Sequence, residues 1–211
     1  MKKLLRRLQP QRYPLYSSAD LLETDTVSTN TPSVTLALPL QPTDHTQGPE
    51  HARVTVLEYG DFECPSCKVA APTIKMLLDQ FPNQIRFAYR HFPQEVAHPH
   101  ALLAAEASEC AAAEGKFWPM HDLLFRNQAH LKEKDLQRYA LELELDPARY
   151  TAEMDDHIYL QRVREHIDSG LRSHIRATPT FFVNGVVQDI SFGMLALHKA
   201  VEAAVRHAHQ T

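Results

Sequence analysis

Cysteine is scarce in this chain: Cys64, Cys67 and Cys110 are the only three in 211 residues. A disulfide-stapled secreted scaffold carries more, usually an even number, so cysteine here reads as chemical rather than structural. Long apolar runs are also missing. No stretch approaches the roughly 18–20 residues of a bilayer-spanning helix, and no membrane partner is expected. An excess of basic charge is absent too: 22 Lys and Arg stand against 26 Asp and Glu, a formal charge of −4. That balance argues against nucleic acid as a partner. The 13 histidines are scattered rather than paired at ligand spacing, so no metal is expected. The start carries Lys2, Lys3, Arg6 and Arg7 in the manner of a signal peptide. The apolar run of about 7–15 residues that should follow is interrupted by Gln9, Pro10, Gln11, Arg12 and Pro14. Read as written, the chain is expected to be cytoplasmic, and exported or periplasmic if the true start differs.

With 44% hydrophobic and 23% charged residues, the chain can bury a substantial core. Residues 1–32 are polar and rich in Ser, Thr, Pro and Gln, and read as a flexible arm. Val34–Leu38 reads as a short edge strand, followed by a Pro/Asp/Gly-rich connection up to Glu50. Arg53–Tyr59 is the first clear strand. Pro65–Phe81 is predicted helical, with Ile74, Leu77, Leu78 and Phe81 forming its inward stripe and Pro72 inside it. Ile85–Phe92 is the next strand, so a βαβ unit with a parallel pair is expected. From 98 to 173 the pattern is helical: Leu102–Glu114 ending at Gly115, Pro119–Arg126, Glu133–Leu143, a start at Asp146-Pro147, and a long helix through Leu160 and Leu171 with Gly170 as its weak point. Strands return at Thr180–Val183 and Val186–Ile190 around the Asn184-Gly185 turn, before a last helix over Leu195–His207.

The cysteine pair sits where the first strand gives way to the first helix: Cys64-Pro65-Ser66-Cys67. Unpaired N–H groups and the positive end of the helix dipole stabilise a thiolate there, lowering a thiol pKa from ~8.5 toward ~3.5–7.5. The second sulfur, one turn on, can attack any mixed disulfide that the first one forms. Zinc would need two further ligands at matching spacing, and none are apparent. A thiol–disulfide redox site is the reading these residues favour, over zinc or an inert buried pair.

Four segments resemble the DsbA-like thiol–disulfide oxidoreductases, thioredoxin folds with an inserted helical domain. They are Val56-Leu57-Glu58-Tyr59-Gly60-Asp61-Phe62-Glu63-Cys64-Pro65-Ser66-Cys67, Arg90-His91-Phe92-Pro93 with His98-Pro99-His100, Gly115-Lys116-Phe117-Trp118 with Met120-His121-Asp122, and Ala177-Thr178-Pro179-Thr180-Phe181-Phe182-Val183-Asn184-Gly185. The resemblance implies an α/β fold: a thioredoxin-like mixed sheet with an all-helical insertion after the first βαβ unit. Its halves would occupy 33–97 and 174–211, with the insertion over 98–173. It implies that Cys64 is the nucleophile and Cys67 the resolving thiol of a redox disulfide. Pro179 matches the family's cis-proline, and a cis bond would turn the Thr178 backbone toward an incoming peptide. Thr178, Pro179, Pro65 and Ser66 are thus the expected substrate-binding residues. Substrates would be cysteine-containing proteins or peptides, a separate redox partner would recycle the pair, and no cofactor is required. Two departures are visible: Pro-Ser replaces the Pro-His of the strong oxidants, and no export signal is evident.

Glu58 shares the strand face of Val54 and Val56, and related enzymes carry an acid beneath the cysteines. It is expected to relay a proton to or from Cys67, the alternative being a strand-end Glu in solvent. Cys110 reads as a small buried hydrophobe rather than a third redox thiol, and His98-Pro99-His100 as a turn and helix start rather than a metal site. Trp118 with Phe117 reads as core of the insertion. Glu63 would oppose the thiolate if its charge were held close. Two other functions on the same fold stay open: a non-catalytic peptide-binding module, and a glutathione- or peroxide-linked redox enzyme.

Overall fold

The computed structural model describes residues 34–191 and 193–210; the arm expected over 1–32 lies outside them. In chain order the elements are β1 (His45–Gln47), β2 (Val54–Gly60), α1 (Pro65–Gln80), β3 (Ile85–His91), α2 (Ala101–Ala113), α3 (Phe117–Arg126), α4 (Glu133–Glu142), α5 (Pro147–Asp155), α6 (Leu160–Arg172), β4 (Thr180–Val183), β5 (Val186–Gln188) and α7 (Met194–Ala208). The sheet runs β1-β3-β2-β4-β5. Only β2 and β3 are parallel; the other three pairings are antiparallel. The class is therefore α/β with a mixed sheet, and α2 to α6 all fall between β3 and β4.

Alternation along β2 sorts its side chains to two faces. Val54 and Val56 join Phe87, Tyr89, Phe181, the inner stripe of α1 and the buried Leu197, Val201 and Val205 of α7 in the larger core. Leu57 and Tyr59 join Ala88, Phe92, Ile175 and Phe182 in the smaller one. Each such side chain fully buried contributes about 1.5–3 kcal/mol relative to exposure, which is what fixes strand register. Gly170 proves to be a contact rather than a weakness. A Cβ there would lie 2.7 Å from the Phe92 ring, so only glycine lets α6 approach the sheet this closely. Asp146 caps α5 by accepting the N–H groups of Ala148 and Arg149 at 2.9 and 3.0 Å.

Two expectations at the sheet edges are corrected. Val34–Leu38 forms no strand; it meets β5 through one isolated bridge, Thr35 to Val186. The edge strand is β1, inside the segment read as a connection. Three polar, half-buried residues carry no alternation to detect, and β1 is held from outside by pairing with β3 and by Trp118 Nε1 donating to Thr46 O at 3.1 Å. Trp118 thereby fastens α3 to the sheet instead of serving only the helical core.

Candidate active site

Cys64 is the N-cap of α1 and Pro65 its first residue, so the sulfur stands at the open end of a 16-residue helix. The ring of Pro65 has no N–H to leave unpaired, and its fixed φ suits the first helical position. Pro65 and Ser66 are exposed beside the buried Cys64 and Cys67. Both cysteines are free thiols. The Cys64 thiol donates to Thr178 O at 3.3 Å. On ionisation the Cys67 thiol becomes the chief donor to Cys64, helped by the Thr178 hydroxyl and the N–H groups of Cys67 and Ser66. These donors outweigh burial and bring Cys64 down to about 5. Cys67 moves the other way. Burial, the hydrogen bond it gives to Cys64, and the neighbouring Glu58 raise it far above the ordinary thiol range. The Thr178–Pro179 peptide is cis. Pro179 is buried and Thr178 half-buried, with the Thr178 carbonyl facing Cys64.

Glu58 is 2% exposed, so it does not sit in solvent. Burial first, and the Cys64 charge second, push its carboxyl up to about 8. Its register partner on β3 is Tyr89, on the same face. Glu58 Oε1 and the Tyr89 hydroxyl are both buried without a hydrogen-bond partner. A groove of about 580 Å³ between α1 and α3 reaches Glu58, lined by Pro72, Ile74, Phe87, Trp118 and Phe125 among others. It gives the carboxyl a route to water. Gly60 makes room for the Tyr89 ring, which a Cβ there would meet at 2.4 Å.

Several groups around the cysteines have partners that the sequence did not signal. Glu63 does not lie free beside the thiolate; its carboxylate accepts His100 N–H at 2.7 Å and pairs with His100 Nδ1 at 2.9 Å. His98 pairs with the buried Asp61. Gln128, in the turn after α3, donates from Nε2 to Phe62 O at 2.9 Å and Cys64 O at 2.8 Å, holding the cysteine turn from the helical side. Cys110 is 1% exposed with its thiol raised to about 12, chiefly by burial, as suits a small core residue.

The histidines prove less scattered than their spacing suggests. His45 Nε2 and His91 Nε2 each lie 2.8 Å from Glu109 Oε1, a grouping with metal-ligand atom types. Its donor set does not suit a cation. Both imidazoles converge on one oxygen, and Arg162 Nε binds the other at 2.8 Å, so the carboxylate charge is already matched. A divalent ion would sit beside the half-buried Arg162 guanidinium, with His91 Nδ1 lacking the outer partner that metal-bound imidazoles have. The cluster instead ties β1 and β3 to α2 and α6.

With this geometry in view, the family model described as thioredoxin matches residues 40–203, and the chain belongs to the thioredoxin family. Within it the fold is DsbA-like. BdbD from Bacillus subtilis, oxidised, superposes with a TM-score of 0.71 at 26% identity, covering 82% of this chain and 97% of that one. A thioredoxin-like oxidoreductase from Silicibacter pomeroyi gives 0.66 at 25%, covering 81% and 95%. Wolbachia pipientis alpha-DsbA1 gives 0.67 at 21%, covering 82% and 96%. Among curated proteins, the Na(+)/H(+) antiporter NhaA 1 of Salinispora arenicola is 45% identical over 172 residues, 81% of this chain but 26% of its own length. The chain thus spans about a quarter of that relative. Among the described residues no helix is long and apolar enough to cross a membrane.

Proposed function

We propose that the protein is a thiol–disulfide oxidoreductase acting on cysteine-containing proteins or peptides through Cys64 and Cys67. The observation that carries this reading is the split of the two thiols, Cys64 held down at about 5 while buried Cys67 is held far up. In the reducing direction the Cys64 thiolate attacks a substrate disulfide and expels one substrate thiolate. Cys67 then loses its proton, attacks Cys64 Sγ and releases the second substrate thiolate. In the oxidising direction a substrate thiolate attacks Cys64 Sγ of the disulfide and Cys67 leaves; a second substrate thiolate then attacks the substrate sulfur of the mixed disulfide, forming the substrate disulfide and releasing Cys64 as the thiolate. With a pKa near 8, Glu58 is protonated at neutral pH and supplies the proton that the leaving Cys67 needs. The Thr178 backbone, with Pro179, Pro65 and Ser66, forms the peptide-contact surface, supported by the carbonyl of Thr178 facing Cys64.

A stabilised Cys64 thiolate favours the dithiol and hence the oxidising direction, despite the lack of an imidazole between the cysteines. The cytoplasmic placement has no support among the neighbours, one of which is a periplasmic thioredoxin-like protein from Salmonella enterica. An exported, oxidising role is therefore the version we favour. The test is the rate of exchange with a protein disulfide, glutathione disulfide and peroxide, together with the reduction potential. Fastest turnover of the protein substrate supports this reading. Faster peroxide or glutathione turnover points to a small-molecule redox enzyme, and no turnover at all leaves a peptide-binding module.

A second reading concerns the partner. Several curated relatives are NhaA antiporters, each carrying a segment similar to this chain in about a quarter to a third of its length. We propose that this module works beside a Na⁺/H⁺ antiporter, itself or through a neighbour's thiols. Membranes incubated with the Cys67→Ala protein should yield mixed disulfides containing antiporter peptides; adducts lacking them would remove this partner.

A further inference from the structure

No imidazole lies between the cysteines, yet the fold brings one to the turn that carries Cys64, from 34 residues downstream. The connection after β3 folds back over the turn that presents Cys64, and Asp61 is the clasp. Its Oδ1 accepts Glu63 N–H at 2.7 Å, and its carbonyl accepts Cys64 N–H at 3.1 Å. Its Oδ2 accepts Gln94 N–H at 2.8 Å and binds His98 Nδ1 at 2.7 Å. One carboxylate therefore joins the nucleophile's turn to the His98 ring. The Asp61 side chain is fully buried, whereas that of His98 is 19% exposed and can exchange protons with water.

We propose that His98 is a positioning residue of the exchange site whose protonation follows the redox state of the cysteine pair. The inference rests on Cys64 being the nucleophile proposed above. Burial works against the imidazolium, but Asp61, Cys64 and Glu63 outweigh it and raise His98 above its ordinary value. The other imidazole nearby, His100, is taken by Glu63. Of the three anionic groups, only Cys64 loses its charge when the disulfide forms. His98 therefore binds its proton more tightly in the dithiol form than in the disulfide form.

The step balances. A substrate dithiol reduces the Cys64–Cys67 disulfide and leaves as a disulfide, giving up two electrons and two protons. One proton goes to Cys67 Sγ, Cys64 remains a thiolate, and the second proton is the one His98 gains in part. By reciprocity, protonated His98 favours the Cys64 thiolate. The site is thus more oxidising below the His98 pKa than above it.

The test is to titrate the His98 ring by NMR in the dithiol and disulfide forms, and to titrate the Cys64 thiolate by its ultraviolet absorbance in the wild type and in His98→Gln. The expected result is a His98 pKa higher by about 0.5 unit or more in the dithiol form, with the Cys64 midpoint rising in His98→Gln. His98 pKa values that coincide in the two forms, with Cys64 still acidic, overturn the proposal and leave the nucleophile assignment standing. A Cys64 that titrates like a free thiol overturns that assignment itself. Disulfide exchange by His98→Gln should also lose the inflection of its pH profile that follows the His98 titration, which a merely structural tether would not remove.

Discussion

Two adjacent register pairs on the same two strands bury polar side chains in opposite ways. Glu58 and Tyr89 face α1 and the cysteines, and Tyr59 and Arg90 face α6. In the second pair every demand is met. Arg90 binds Asp44 through Nε at 2.9 Å and Nη2 at 2.8 Å, and donates to Leu38 O, Pro39 O and the Tyr59 hydroxyl, which in turn meets Ser169 at 2.7 Å. On the first face, one Glu58 oxygen and the Tyr89 hydroxyl are left without partners. Equal burial with satisfied and unsatisfied polarity has different consequences. The satisfied set fastens elements together, while the unsatisfied set leaves a carboxyl pushed up to about 8 on the face of the cysteines.

The sharpest way to separate the faces is at the sulfur itself. Cys64→Ala should reduce disulfide exchange to the uncatalysed background, while Cys67→Ala should accumulate mixed disulfides visible by mass spectrometry. On the opposite face, Asp44→Ala leaves a buried guanidinium without its carboxylate. It should cost about 3 kcal/mol or more of stability in urea unfolding, while exchange per folded molecule survives. Glu58→Gln should do the reverse, slowing exchange about tenfold at neutral pH and stabilising the fold. The sign follows from a folded pKa raised to about 8. Between the unfolded carboxyl value and pH 8 the native Glu58 holds a proton that the unfolded state has lost, so Glu58 alone makes stability fall by about 1.4 kcal/mol per pH unit, against the opposite slope that Cys64 contributes above about pH 5. The Glu58 contribution should vanish in Glu58→Gln, whose stability should therefore rise with pH relative to the wild type. The smallest effects should differ in sign. Tyr59→Phe breaks two satisfied hydrogen bonds and should destabilise by about 1–2 kcal/mol, whereas Tyr89→Phe deletes an unpaired hydroxyl and should stabilise by about 1 kcal/mol. Two losses of equal size would dissolve the comparison.

How much of this was legible follows from range. The strands β2, β3 and β4 and the helices announce themselves through local periodicity, caps and turns, and so lie within a residue or two of the expected limits. Glu58 was legible because its place on a strand face follows from alternation alone. β1 was not, because its three residues owe their extended form to a distant partner. The same holds for buried charge. Asp44 meets Arg90 across 46 positions, Glu109 meets Arg162 across 53, and Asp61 meets His98 across 37. Nothing in local composition marks such pairs. His98-Pro99-His100 could be read as a turn, but the carboxylates that give its imidazoles a task lie on the cysteine turn.

Gln128 gives the helical segment a grip on the chemistry. Because one amide from the end of α3 holds the carbonyls on both sides of Glu63, the backbone bearing Cys64 is tied to that segment as well as to the sheet. Any shift of the helices against the sheet would thereby be carried to the sulfur's own peptide unit.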